Sequence, residues 1–268
     1  GGFNLKFLEL LKQEIEDIEV YYYIPPKLWI WGEKRIKKLI KADHIMVIFP
    51  WEVDFYKKHG VDAIYYGNPF VDKYIVEKRS EEYILLLPGS RKQEIKDNLS
   101  VMMQVVNKFP ACQFVVAGAP AIDKEYYKAF LPLHVKLVFG ETYALLSHAD
   151  AAIVTSGTAT LETALFRVPQ VVCYYTAAGK VVALLRKLLL KVPYISLVNL
   201  IRGKKVVSEL VADEMTALNV ELELKALLNN KIYRQGVLDG YEEMAEILGP
   251  EGASSRAAEI MVRLLRER

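Results

Sequence analysis

Two short stretches of this 268-residue chain carry residue types that can hold phosphate. The first is Leu87-Pro88-Gly89-Ser90-Arg91, which follows an apolar run and opens a helix-period segment. Gly89 lets the backbone approach a ligand closely, the amides after it sit at the positive end of a helix, and Arg91 adds a fixed cation. Together these suit a diphosphate at Ser90 and Arg91. An ordinary strand-to-helix turn with a solvent-facing arginine fits the same letters. The second stretch is Thr155-Ser156-Gly157-Thr158-Ala159-Thr160-Leu161-Glu162. Here Ser156, Gly157, Thr158 and Thr160 supply hydroxyls and a glycine at another helix start. Glu162 lies one turn further, where a carboxylate can accept both ribose hydroxyls. Local caps, Thr158 with Glu162 or Thr155 with Thr158, are the alternative. Two such loops on one sheet favour nucleotide binding.

Other clusters read less sharply. Trp29, Trp31 and Tyr21 to Tyr23 flank Pro25-Pro26, which suits either a sugar or lipid contact or packing against a neighbouring domain. The stretch Lys180 to Lys191 is helix-periodic, with Val181, Leu184, Leu185 and Leu188 on one side and Lys180, Arg186, Lys187 and Lys191 as its charges. It fits an anionic membrane interface and a core helix with snorkelling ends equally well. Arg35, Lys37, Lys38 and Lys41 read as a solvated face. The four histidines form no ligand spacing, so neither a metal nor another cofactor is expected.

The elements that must position these residues are legible as alternation. From Tyr83 onward, apolar runs at Tyr83–Leu87, Gln113–Ala117, Val135–Phe139, Ala151–Val154 and Val171–Tyr174 read as buried strands. Helices are expected over Lys92 to Lys108, Thr142 to His148 and on to Phe166, and the chain beyond Tyr194 reads as mostly helical. The last helix spans Ser254 to Arg266. Apolar strands separated by helices mean a parallel sheet covered on both faces, with ligands at the strands' carboxyl ends. An earlier stretch gives strands at Glu19–Tyr23, Ile45–Phe49 and Ala63–Tyr66, with a basic helix from Glu33 to Ile40. Three strands in roughly seventy residues make a poor independent core, so this stretch reads as half a domain. Residues Asp72 to Glu82 read as a linker.

Composition sets outer bounds. The chain is 52% hydrophobic and 25% charged, with a formal charge of +2. That is globular, and it argues against a nucleic-acid partner bound through bulk charge. Cys112 and Cys173 both sit in apolar runs and read as buried reduced thiols. No transmembrane span is visible, so the chain is expected to be soluble or to lie on a membrane.

In order, the segments Trp29-Ile30-Trp31 with Lys34-Arg35, Ile48-Phe49-Pro50-Trp51-Glu52-Val53-Asp54-Phe55-Tyr56 and Leu87-Pro88-Gly89-Ser90-Arg91 resemble the lipid-A-disaccharide synthase family. So do Thr155 to Glu162, Tyr194-Ile195-Ser196-Leu197-Val198-Asn199-Leu200 and Gly249 to Ala258, so the resemblance covers essentially the whole chain. It implies an α/β fold of GT-B type, with a Rossmann-like carboxyl-terminal domain and an incomplete amino-terminal one. The implied boundaries are 1–72, 73–245 and a terminal helix over 246–268 that packs back on the first domain. The implied activity is inverting transfer of 2,3-diacylglucosamine from UDP to 2,3-diacylglucosamine 1-phosphate (lipid X), at the cytoplasmic face of the bacterial inner membrane. Ser90 and Arg91 would then contact diphosphate. Ser156, Gly157, Thr158, Thr160 and Glu162 would contact phosphate and ribose, and Asn199 would lie near the donor. An anionic membrane surface and a second copy of the chain are the further partners it implies.

Three departures from the family pattern are visible: Asn68 where histidine is usual, Ala212 where glutamine is common, and a start inside the family's first domain. The proposed catalytic base of the family is expected before Gly1, so none is assigned within the chain. Two other readings stay open, a UDP-binding module without turnover and another GT-B enzyme such as a UDP-N-acetylglucosamine 2-epimerase or a muramyl-pathway transferase.

Overall fold

The computed structural model describes residues 2–30, 32–73, 83–175 and 194–267. The described residues divide into two compact units, 2–73 with 245–267, and 83–175 with 194–244. The expected helix over Lys180 to Lys191, Trp31 and most of the expected linker lie outside the described residues.

In the first unit, helix α1 (Gly2–Glu14) buries Leu5 and Leu8, one helical turn apart. Strand β1 (Tyr21–Tyr23) follows, then a 3-10 turn (Glu33–Arg35) that runs into α2 (Ile36–Leu39). Strand β2 (His44–Val47), α3 (Pro50–Lys57) and β3 (Ala63–Tyr65) complete it before a 3-10 turn at Val71–Lys73. The three strands pair in parallel in the order β1-β2-β3. Leu5, Leu8, Leu28, Leu39, Ile45 and Tyr56 are the centre of its core. Pro50 opens α3, where its missing N–H costs nothing, and Glu52 reaches back to the amides of Phe49 and Ile48 at 3.1 and 3.3 Å.

The second unit is built on β4 (Ile84–Leu87), α4 (Lys92–Val106), β5 (Phe114–Gly118), α5 (Lys124–Lys128), β6 (Lys136–Phe139), α6 (Thr142–His148), β7 (Ala151–Thr155), α7 (Thr158–Leu165) and β8 (Gln170–Tyr174). After residue 194 come α8 (Leu197–Arg202), β9 (Ser208–Val211), α9 (Ala217–Asn229) and α10 (Lys231–Leu248). Its strands are all parallel, in the order β6-β5-β4-β7-β8-β9. Every residue of β4, β5 and β7 is buried, which requires helices over both faces and explains why these strands are continuous apolar runs. The strand order turns back between β4 and β7, the place where open α/β sheets hold ligands.

Two sequence expectations are corrected and one is refined. The chain beyond Tyr194 is mostly helical as expected, and Ser208–Val211 adds a strand to the sheet beside β8. Four residues, two of them polar, are too short a run to show a period. Cys112 lies in a turn rather than a strand and is half-buried, whereas Cys173 is fully buried and its thiol is pushed up to about 12 by that burial. Asp72 is no linker residue. Its carboxylate accepts the amides of Gly252, Ala253 and Ser254 at 2.7, 3.0 and 3.1 Å. These begin α11 (Ala253–Arg266), which belongs to the first unit.

Candidate functional site

The residues after β4 and β7 meet in one cleft of about 340 Å³ at the carboxyl ends of the strands. After β4 the wall is Gly89, Ser90 and Arg91; after β7 it is Ser156, Gly157 and Thr158; after β5 it is Gly118, Ala119 and Pro120. Each position has a local cause. Gly89 takes a φ of +115°, a region that L side chains rarely adopt. A Cβ there would also stand 2.9 Å from Glu94 Cβ, so the turn can close only on glycine. At Gly118 a Cβ would strike the Phe139 ring at 2.4 Å. The backbone therefore runs bare along this edge of the cleft.

Two helices aim their amino ends into the same region. Arg91 precedes α4 with extended backbone and no side-chain cap, and Gly157 precedes α7 likewise without one. The local caps considered for Thr155, Thr158 and Glu162 are thus not the ones that close α7. Amides at a helix start are donors suited to an anion. The Arg91 side chain is 80% exposed and donates through Nη1 to Glu94 at 2.5 Å.

Five of the residues singled out in sequence line the cleft: Ser90, Arg91, Ser156, Gly157 and Thr158. Thr160, Glu162 and Asn199 do not. Thr160 is fully buried, donating to the Gly157 carbonyl at 2.8 Å and accepting the Leu197 amide at 3.4 Å. Glu162 is half-buried and accepts the Tyr143 hydroxyl at 2.6 Å. Burial, and then the Glu162 carboxylate, push that phenol above its ordinary range. Asn199 is fully buried and its amide is used up. Its Oδ1 accepts the amides of Val206 and Val207 at 2.8 and 3.0 Å, and its Nδ2 donates to the Val207 carbonyl and to Glu209 at 2.9 Å each.

Thr160 and Asn199 hold the frame behind the cleft. Glu209 accepts the Ile195 and Ser196 amides and the Ser196 hydroxyl at 3.0, 2.9 and 2.7 Å. Ser156 donates to the Ile195 carbonyl at 3.1 Å, tying the second turn to the same segment. Glu209 was not a sequence candidate, because the short Ser208–Val211 run does not read as a strand.

The first unit carries a second cluster at its strand ends. Glu52 is fully buried, and its carboxylate accepts Lys27 at 2.9 and 3.1 Å and the Trp29 indole at 3.0 Å. Burial pulls the Lys27 amine down from its ordinary value, against the pull of Glu52. Trp29 packs edge-on against Phe49 and Trp51, so within this unit its ring serves the core. Asn68 is also fully buried, donating to the Ile48 carbonyl at 3.1 Å and accepting the Phe70 amide at 3.0 Å. A residue other than histidine thus fits here as a bracket between two strand ends.

Among the described residues no group of histidine, cysteine, aspartate and glutamate could hold a metal ion, and no helix is long and apolar enough to cross a membrane.

Comparison with known proteins gives this geometry a family. The chain is 32% identical over 285 residues to the lipid-A-disaccharide synthase of Anaeromyxobacter dehalogenans, a match covering 98% of this chain and 73% of that one. It is 34% identical over 286 residues to the lipid-A-disaccharide synthase of Myxococcus xanthus, with the same coverage. Among solved structures, the S. aureus MnaA–UDP co-structure superposes with a TM-score of 0.62 at 13% identity, covering 99% of this chain and 79% of that one. At that identity the likeness shows the fold, which is the GT-B type. The profile of the lipid-A-disaccharide synthetase family matches residues 1–261, so this chain belongs to that family of lipid A hexosyltransferases.

Proposed function

We propose that this chain moves 2,3-diacylglucosamine from UDP to the 6-hydroxyl of lipid X, forming the β-1,6 disaccharide with inversion and releasing UDP. The observation that carries the reading is the cleft at the sheet's switch point, where the starts of α4 and α7 and Arg91 converge. Preorganised amides and a guanidinium at one place stabilise the negative charge that builds on a departing diphosphate. In this reading Ser90 and Arg91 hold the diphosphate, and Ser156, Gly157 and Thr158 hold phosphate and ribose oxygens. Glu162 accepts ribose hydroxyls on the oxygen that Tyr143 leaves free. Thr160 and Asn199 act from behind, by fixing the two turns that touch the donor. An acceptor hydroxyl must also lose its proton to a base on the face opposite UDP; no described residue is assigned that role.

Both substrates carry acyl chains, so the reaction belongs at a membrane surface, and we place it on the cytoplasmic face of the inner membrane. Association with a second copy is part of the same proposal. The test is to supply UDP-2,3-diacylglucosamine and lipid X to the purified chain and follow disaccharide by mass spectrometry. Disaccharide formation is expected. UDP binding without product would remove the transfer reading for this chain, and no UDP binding would remove the site assignment. Sedimentation with anionic and with neutral liposomes tests the membrane placement, with preference for the anionic ones expected.

A further inference from the structure

The turn after β4 already holds an anion, and the protein supplies it. Glu94 is the third residue of α4, and its side chain folds back over the turn. Its Oε2 accepts the Ser90 amide at 3.2 Å and its Oε1 accepts Arg91 Nη1 at 2.5 Å. Gly89 makes the room, since a Cβ at that position would lie 3.0 Å from Glu94 Oε2. The carboxylate thus occupies the two donors that a phosphate oxygen would use at the positive end of α4. The pair is open to solvent on the arginine side and half-buried on the glutamate side. The Arg91 side chain is 80% exposed and that of Glu94 32%, and an exposed ion pair opens at little cost.

A separate observation concerns the wall of the same cleft. Thr155 lines it, is only 6% exposed, and its Oγ1 has no hydrogen-bond partner. A buried hydroxyl left unpaired is costly, and this one belongs to a residue of the cleft wall.

We infer that Glu94 is a specificity-determining residue of this cleft, an internal carboxylate that a ligand's phosphate must displace from the Ser90 amide and Arg91. The inference rests on reading the turn as a diphosphate site. A ligand without phosphate leaves the carboxylate in place and gains nothing from α4. A diphosphate brings more acceptor oxygens and more charge than one carboxylate, so it wins both donors. The displaced carboxylate stays nearby and repels its replacement, which limits how tightly a released diphosphate is held.

The experiment compares wild type with Glu94→Gln by calorimetry, using uridine, UDP and inorganic pyrophosphate. The substituted carboxamide keeps an oxygen for the Ser90 amide and drops the charge. We expect pyrophosphate and UDP to bind about three- to tenfold more tightly to the variant, with uridine unchanged. Equal or weaker pyrophosphate affinity in the variant overturns the inference. If pyrophosphate tightens while neither protein binds UDP, displacement stands and the nucleotide reading falls. If both proteins bind UDP with equal affinity, the nucleotide reading stands and displacement falls.

Discussion

Arg91 and Asn199 both sit in polar motifs, yet the fold uses them in opposite ways. Arg91 projects from a helix start into solvent, with the half-buried Glu94 as its partner. Such a pair contributes at most about 1 kcal/mol to stability. Asn199 is fully buried and makes four hydrogen bonds that join α8 to the segment before β9. Arg91→Ala is therefore expected to leave thermal unfolding nearly unchanged while weakening UDP binding by about 1.5–3 kcal/mol, the worth of a charge-assisted bond. Asn199→Ala is expected to cost about 2–4 kcal/mol of stability, because it strands the amides of Val206 and Val207. Differential scanning fluorimetry beside calorimetry separates the two. An Asn199→Ala protein that melts with wild type, or an Arg91→Ala protein with wild-type UDP affinity, would contradict these roles. The contrast also marks where sequence reading of the site ended. That Ser90, Arg91, Ser156, Gly157 and Thr158 share one cleft was legible because each group directly follows a buried parallel strand, at the sheet's carboxyl edge. Thr160, Glu162 and Asn199 carry equally polar letters. Their partners, Leu197, Tyr143 and Val206, stand apart in sequence and are met only through the fold.

At the scale of elements, the long apolar strands β4, β5, β7 and β8 were legible because two-faced burial writes itself as an unbroken run. Strand β9 was not, since Ser208 and Glu209 interrupt it and Glu209 is spent on the Ser196 segment. Helix α11 shows the same limit at its start. Gly252 precedes it with φ +89° and offers no side-chain cap, so the sequence around it looks open. The cap comes from Asp72, far away in the chain, whose carboxylate takes three amides at the helix start. Arg256 completes the attachment by donating to the Tyr66 carbonyl at 3.0 Å. Burial of the Asp72 carboxyl opposes its ionisation, but the three amides outweigh that and hold it below its ordinary value. A depressed folded-state value means the stabilisation is fully present above about pH 4, the unfolded value, and fades as pH falls through the folded one. Asp72→Ala is expected to cost about 1 kcal/mol at neutral pH, as loss of a helix cap does. The gap to wild type should narrow in acid. Urea unfolding at pH 7 and near pH 3 measures this, and a gap that widened in acid would be inconsistent with the cap.

On the scale of the whole chain, the two units differ in how they are closed. The second unit owns a six-stranded sheet, and its closing contacts lie before residue 245. Arg234 donates to Asp150 at 2.8 Å, and Tyr241 is buried against Gln170 at 3.3 Å. Among the described residues the first unit has only three short strands, too few to bury a sufficient core unaided. It draws its remaining cover from the end of the chain. Leu248, Ala253 and Ala257 are buried, Tyr65 donates to the Leu248 carbonyl at 2.7 Å, and Gly67 leaves space that a Cβ would deny to Ala253 and Arg256. Deleting residues 250–268 should therefore act on one unit and spare the other. Native-state hydrogen exchange resolves this, because each amide reports the opening free energy of its own cooperative region. Amides of β1, β2 and β3 are expected to lose protection by several kcal/mol, about the sum of a lost cap and the uncovered apolar contacts. Those of β4, β5 and β7 should exchange as before, with their cleft intact and UDP affinity within about twofold of wild type, as expected for a distant, independent change. Equal loss of protection in both sheets would show that the second unit also depends on α11. Unchanged protection in β2 would show that the three-stranded core stands without it.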